Sequence, residues 1–140
     1  MSKHSLVMRV DQNYNNHDMG MIGRRETGAQ GEKIAVNYLK RKGYRIRERN
    51  FRCREGEIDI VAEKGGFLVF VEVRTKKDTS FGTPEESITA SKKEKLIALA
   101  QTYIESHAGL PSSWRIDVVA IELDKRGKVS RLRLIKNAIS

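Results

Sequence analysis

One cysteine and three histidines in 140 residues exclude several chemistries at once. Cys53 alone can form no internal disulfide and cannot build a Cys-rich zinc centre, so a reducing cytoplasm is the expected compartment. His4, His17 and His107 are scattered along the chain, which argues against a histidine metal site. No apolar run approaches the roughly 20 residues needed to span a bilayer, and the N-terminus lacks the apolar stretch of a signal peptide. A soluble chain with no membrane partner is expected. Internal repeats and low-complexity linkers are absent too.

What the chain has in excess is positive charge. Lys and Arg number 27 against 18 Asp and Glu, a formal net charge of +9. That imbalance concentrates polyanions near the surface, which makes nucleic acid the first partner to consider. With 39% hydrophobic residues, a chain of this length suffices for one compact core.

Residues 1–22 are poor in apolar residues and show no sustained period, so they are expected to form a flexible tail ahead of a single domain at 23–140. Ile34, Ala35, Tyr38 and Leu39 recur at helical spacing within Thr27–Lys42, and Gly43 suits the C-terminal cap. Tyr44–Arg52, Glu57–Glu63 and Phe67–Thr75 read as three strands joined by turns at Arg54-Glu55-Gly56 and Lys64-Gly65-Gly66, hence an antiparallel meander. The third should be the most buried, being continuously apolar up to Glu72. Ser91-Lys92-Lys93-Glu94 matches a capping box for a second helix ending near Ser106. Trp114–Glu122 and Val129–Ile135 complete the order αβββαββ. Because a helix connects the third strand to the fourth, those two should run parallel, in a mixed sheet flanked by helices.

The strand acids are the informative feature. Glu57-Ile58-Asp59-Ile60-Val61 is followed, across the Gly-Gly turn, by Phe70-Val71-Glu72-Val73-Arg74. An ionised carboxylate among β-branched residues is costly unless it is paired or binds a metal, and two converging ones repel unless a cation lies between them. If the register brings Asp59 beside Glu72, their oxygens and the Val73 carbonyl make a hard-ligand pocket for Mg²⁺ or Mn²⁺. Arg74 and Lys76 would then lie at its edge, where they could bind a phosphate. The competing reading is a structural ion-pair network in which Arg74 and neighbouring cations neutralise the acids.

Gly31-Glu32, Tyr38-Leu39, Gly43-Tyr44, Arg49-Asn50, Gly56-Glu57-Ile58-Asp59-Ile60-Val61-Ala62, Val69-Phe70-Val71-Glu72-Val73-Arg74, Phe81-Gly82 and Arg115-Ile116-Asp117-Val118-Val119-Ala120 together resemble the bacterial YraN family. That family is grouped with restriction-endonuclease-like and Holliday-junction-resolvase-like folds, so the resemblance implies a restriction-endonuclease-like α/β fold with an αβββαβ core. The wider superfamily carries a PD-(D/E)XK pattern. By resemblance Asp59 takes the first acid, Glu72 the second and Arg74 the basic position, with Asp59 and Glu72 holding the metal and Glu32 and Glu57 as accessory acids. The implied activity is Mg²⁺- or Mn²⁺-dependent hydrolysis of phosphodiester bonds in nucleic acid, foremost DNA, branched forms included. Resolvase-like relatives suggest a homodimer that addresses two strands. One departure matters. The superfamily's basic residue is usually Lys, and the guanidinium of Arg74 stays protonated and cannot act as a general base. Lys76 could replace it, or the site could bind without cutting. Alternatives are therefore a non-catalytic nucleic-acid-binding module and a protein-interaction scaffold.

Lys77, Lys92 and Lys93, with Arg74 and Lys76, form a basic cluster that could grip phosphates or simply be a solvated face. Arg49, Arg52 and Arg54, in a stripe that begins at Arg45, could contact backbone phosphates or blunt a sheet edge. Asp117, in an Ile-Asp-Val-Val setting like that of Asp59, reads equally as a satisfied acid or as a residue beside the pocket. Phe81-Gly82-Thr83-Pro84 is either an ordered loop beside the site or a plain connection.

Overall fold

The computed structural model describes residues 3–6 and 24–139. Its elements are β1 (Lys3–Leu6), α1 (Arg24–Arg41), β2 (Arg45–Cys53), β3 (Gly56–Lys64), β4 (Phe67–Lys76), a 3₁₀ turn (Glu85–Ser87), α2 (Ala90–Ser106), β5 (Ser113–Leu123) and β6 (Val129–Ile139). The strands form one mixed sheet in the order β1-β6-β5-β4-β3-β2, with β4 and β5 parallel and the other neighbours antiparallel. From α1 onward this is the expected αβββαβ core, a restriction-endonuclease-like α/β fold, with β6 added.

The two faces carry separate cores. On one, Ile34, Ala35, Tyr38 and Leu39 of α1 pack on Ile60, Ala62, Val69, Val71, Val119 and Ile121. On the other, Leu96, Leu99, Ala100 and Tyr103 of α2 pack on Val61, Leu68, Phe70, Ile116 and Val118. Covering both faces is what lets the central strands be apolar without alternation.

The β3–β4 turn sets the register that matters. Lys64 pairs with Phe67, so Gly65 and Gly66 alone make the loop, both at positive φ (57° and 82°) as a tight hairpin turn requires. Counting back along the ladder, Asp59 falls opposite Glu72. The last ladder pair is Ile60↔Val71.

Several expectations need correction. β5 is the most buried strand rather than β4: residues 116–121 are all buried, against 68–72 in β4. The cap of α2 is Thr89, whose hydroxyl accepts from the Lys92 amide at 3.1 Å, and Ser91 lies inside the first turn. Thr89 is extended, as an N-cap must be, so the serine that fits the sequence pattern is two residues late. β6 continues to Ile139. Lys3–Leu6, within the segment expected to be a tail, pairs with β6 as an edge strand. Four residues are too few for a readable period. The rest of that segment lies outside the described residues.

Candidate metal and phosphate site

The site forms where β3 and β4 part. Instead of a further ladder bond, the Asp59 side chain enters the gap and its Oδ2 accepts the Val73 amide at 2.8 Å. The peptide group of Val73 therefore meets Asp59 through its N–H. Glu72 follows Leu68 and Phe70 on the α2 face and is 4% exposed. Its Oε2 lies 3.1 Å from Arg74 Nε and 3.7 Å from Lys92 Nζ. The Arg74 contact is close but poorly aligned, since Arg74 Nε makes no hydrogen bond.

Glu32 reaches Asp59 from the opposite face. Its helix comes close because residue 31 is glycine: a Cβ there would lie 1.9 Å from the Thr75 hydroxyl oxygen of β4. One carboxylate oxygen each from Glu32, Glu57 and Asp59 fall within 4.8 Å of one another. Asn50, on β2 opposite this point, has φ 54°. Its side-chain amide, turned with nitrogen towards the acids, donates to Glu57 at 2.7 Å and to Glu32 at 2.8 Å. Asp59 thus stands between Glu72 on one side and Glu32 with Glu57 on the other.

Such crowding is electrostatically adverse. Burial first, then the charges of Asp59 and Glu57, raise the Glu32 carboxyl above its usual range. Burial raises Asp59 as well, against the opposing pull of the Val73 N–H. Burial and the Asp59 charge push Glu72 up to about 7, with Lys92 and Arg74 acting the other way. Glu32, Asp59 and Glu72 therefore hold protons more tightly than isolated carboxyls.

Of the other expected residues, Lys76 faces Glu122 in the β4–β5 register, and the charges it acts on are Asp78 and Glu86 of the following loop. Lys77 is half-buried at the start of that loop. Arg49 acts on Glu32, and Arg52 Nε pairs with Glu57 Oε2 at 3.0 Å, so this part of the stripe leads to the acids. Arg54 is exposed in the β2–β3 turn. Lys92 and Lys93 lie in the first turn of α2, which carries no acid there. Lys93 lines a cavity of about 250 Å³ together with Val118, Arg133 and Ile139. Asn50 entered the sequence reading only within the Arg49-Asn50 motif of the resemblance, with no role given to it. Its place opposite a strand acid, in the left-handed conformation that Asn tolerates, is what makes it a participant.

Asp117 resolves differently. It is fully buried and accepts from Tyr44 Oη (2.9 Å), Arg115 Nε (2.9 Å), Arg115 Nη2 (3.3 Å) and the Asn137 amide (2.9 Å). This is a satisfied structural acid.

The description "Uncharacterised protein family UPF0102" belongs to the family model that matches residues 31–121. Over 116 residues the chain is 49% identical to a UPF0102 protein of Dehalococcoides mccartyi, covering 83% of this chain and 94% of that protein. A UPF0102 protein of Caldicellulosiruptor saccharolyticus is 41% identical over 84% of this chain and 99% of its own length. One from Moorella thermoacetica is 47% identical over 82% and 96%. No described helix is long and apolar enough to cross a membrane.

Proposed function

The chain belongs to the UPF0102 family, the YraN family of the resemblance, and from that premise we propose that it binds nucleic acid and hydrolyses phosphodiester bonds with Mg²⁺ or Mn²⁺. The observation that supports this most is the crowding of Glu32, Glu57 and Glu72 around Asp59 in a protein of net charge +9. Buried and half-buried acids that repel one another are stabilised by a cation, and the surrounding positive surface favours a polyanionic substrate.

The donors fit a hard divalent ion. All are carboxylate oxygens, and those of Glu32, Glu57 and Asp59 lie within 4.8 Å of one another, near the ~4.2 Å that separates opposite ligands of Mg²⁺ at ~2.1 Å. Asp59 would be the central ligand, with Glu72 and the pair Glu32 and Glu57 on its two sides. Asn50, which clips Glu32 to Glu57, would release them on loading. Bound there, the ion would lower the pKa of a coordinated water and neutralise charge on the reacting phosphate.

The chain's own cations position the substrate. Arg74, with its buried Nε lacking a hydrogen bond, and Lys92 both abut Glu72 and would exchange that contact for phosphate oxygens. Lys92 and Lys93 also stand at the positive end of the α2 dipole, where acids are favoured, so an anion would relieve the arrangement. Binding without cutting is the second reading. Arg74 favours it, because among the described residues no amine other than Lys92 lies against the acids and a guanidinium cannot take a proton.

The experiment is a cleavage screen with Mg²⁺ and Mn²⁺ over single-stranded, duplex, flap and four-way-junction substrates. Asp59→Asn should abolish metal-dependent cleavage while leaving the thermal midpoint intact; cleavage that survives this change would refute the assignment. Salt-dependent binding with no cleavage in any wild-type reaction would select the second reading.

A further inference from the structure

The loop between β4 and α2 holds an aromatic ring in water. Phe81 is 93% exposed. The other exposed large hydrophobic among the described residues, Phe67, has the Arg115 guanidinium 5.0 Å from its ring centre. Phe81 has no such ring or cation partner among the described residues, and leaving such a side chain in water forgoes about 1.5–3 kcal/mol of burial.

The loop that carries it is organised on both sides of the ring. Asp78 Oδ1 accepts from the Ser80 amide (2.9 Å) and hydroxyl (2.6 Å). The Gly82 amide donates to the Thr79 carbonyl at 3.1 Å, closing a turn around Ser80 and Phe81. Glu86 Oε1 accepts from the Thr83 amide (2.7 Å) and hydroxyl (2.9 Å). Beyond it, Glu85 is clamped by Arg133 at 2.7 Å and Arg131 at 3.2 Å. The backbone thus presents Phe81 from a pinned turn, and the ordering cost of a contact there is largely met before binding.

Its place in the chain ties it to the acids. The loop leaves β4 through Lys76 and Lys77, four and five residues past Glu72, and returns to Lys92, whose Nζ is 3.7 Å from Glu72. We propose that Phe81 stacks on an unpaired base of a strand whose phosphate is held at Arg74 and Lys92. The preferred ligand class is then single-stranded or locally unpaired nucleic acid rather than intact duplex. This rests on the nucleic-acid reading above and sharpens it. A single ring on a loop whose two ends carry Lys76, Lys77 and Lys92 suits alternating bases and phosphates, since stacking needs one flat face and lysines near the strand take the charge. A docking patch for a protein partner would need further apolar residues around the ring, and no other exposed large hydrophobic lies on this loop.

The test is fluorescence anisotropy of labelled single-stranded, flap and duplex oligonucleotides in EDTA at one fixed salt concentration. Wild type is compared with Phe81→Ala, Phe81→Leu and Phe81→Trp. Both the Ala and Leu variants should bind single strands and flaps about tenfold more weakly, with duplex affinity changed less than twofold, and Trp should restore binding. In the Trp variant, fluorescence should be quenched by a strand with bases and not by its abasic counterpart. Thermal midpoints should match wild type, because the ring is exposed. Unchanged single-strand affinity in Phe81→Ala, an equal loss on duplex, or rescue by Leu would overturn the stacking role while leaving the nucleic-acid reading in place. Wild type that retains none of the oligonucleotides would refute that reading itself. A wild-type oligomer that Phe81→Ala dissociates, with nucleic-acid affinity unchanged, would assign the ring to self-association and equally overturn the proposal.

Discussion

Ile58-Asp59-Ile60-Val61-Ala62 on β3 and Ile116-Asp117-Val118-Val119-Ala120 on β5 are nearly the same peptide, and the fold treats their acids in opposite ways. Around Asp117, four donors from Tyr44, Arg115 and the Asn137 backbone converge on one carboxylate. Around Asp59, among the described residues, there is one backbone donor and the charge of Lys92, against three acids, Glu32, Glu57 and Glu72. Even the opposing residues correspond, since Asn137 and Asn50 both adopt positive φ (50° and 54°). Asn137 donates its amide to the acid of β5, whereas Asn50 uses its side chain to bridge the competitors of Asp59. A strand acid is thus a structural element when its neighbours supply donors, and a ligand candidate when they supply more acids.

Matched substitutions separate the two most strongly. Asp117→Asn leaves the Arg115 guanidinium without its counter-charge in a buried setting and should cost about 3–5 kcal/mol in urea unfolding. Asp59→Asn keeps an acceptor for Val73 and removes a repelled charge, so stability should be unchanged or higher by about 1 kcal/mol. Equal losses at the two positions would break the distinction.

The next largest effect concerns pH. The folded-state value of about 7 for Glu72 stands above the ordinary 4.5, so the native protein binds more protons than the unfolded chain between these values. Stability of the metal-free protein should therefore fall as pH rises from 4.5 to 7, by ~3 kcal/mol across that window. Denaturation in EDTA at a series of pH values should show this decline, and Glu72→Gln should flatten most of it. A slope that persists in the variant would place the repulsion elsewhere.

Much of this was readable before folding. The Gly-Gly loop fixes the hairpin register, so the pairing of Asp59 with Glu72 follows from counting. The helix between the third and fourth strands of the core implied their parallel pairing. The approach of Glu32 was not readable as a contact, because it depends on how closely α1 settles on Thr75, a tertiary distance that Gly31 permits without announcing. Local sequence separates Asp59 from Asp117 chiefly by the residue two positions before each, Glu57 for the first and Arg115 for the second. The other partners that decide between them, Tyr44 on one side and Glu32 and Asn50 on the other, come from other elements or depend on backbone conformation. The edge strand β1 and the Thr89 cap escaped for a more local reason: each is too short to leave a period.

The central claim is that Asp59 organises a divalent-cation site, and calorimetric titration of Mn²⁺ into wild type and Asp59→Asn, with nucleic acid absent, tests it most directly. Saturable binding by wild type that weakens at least tenfold in the variant is the predicted result. Absence of saturable binding, or equal affinity in the two proteins, would contradict it.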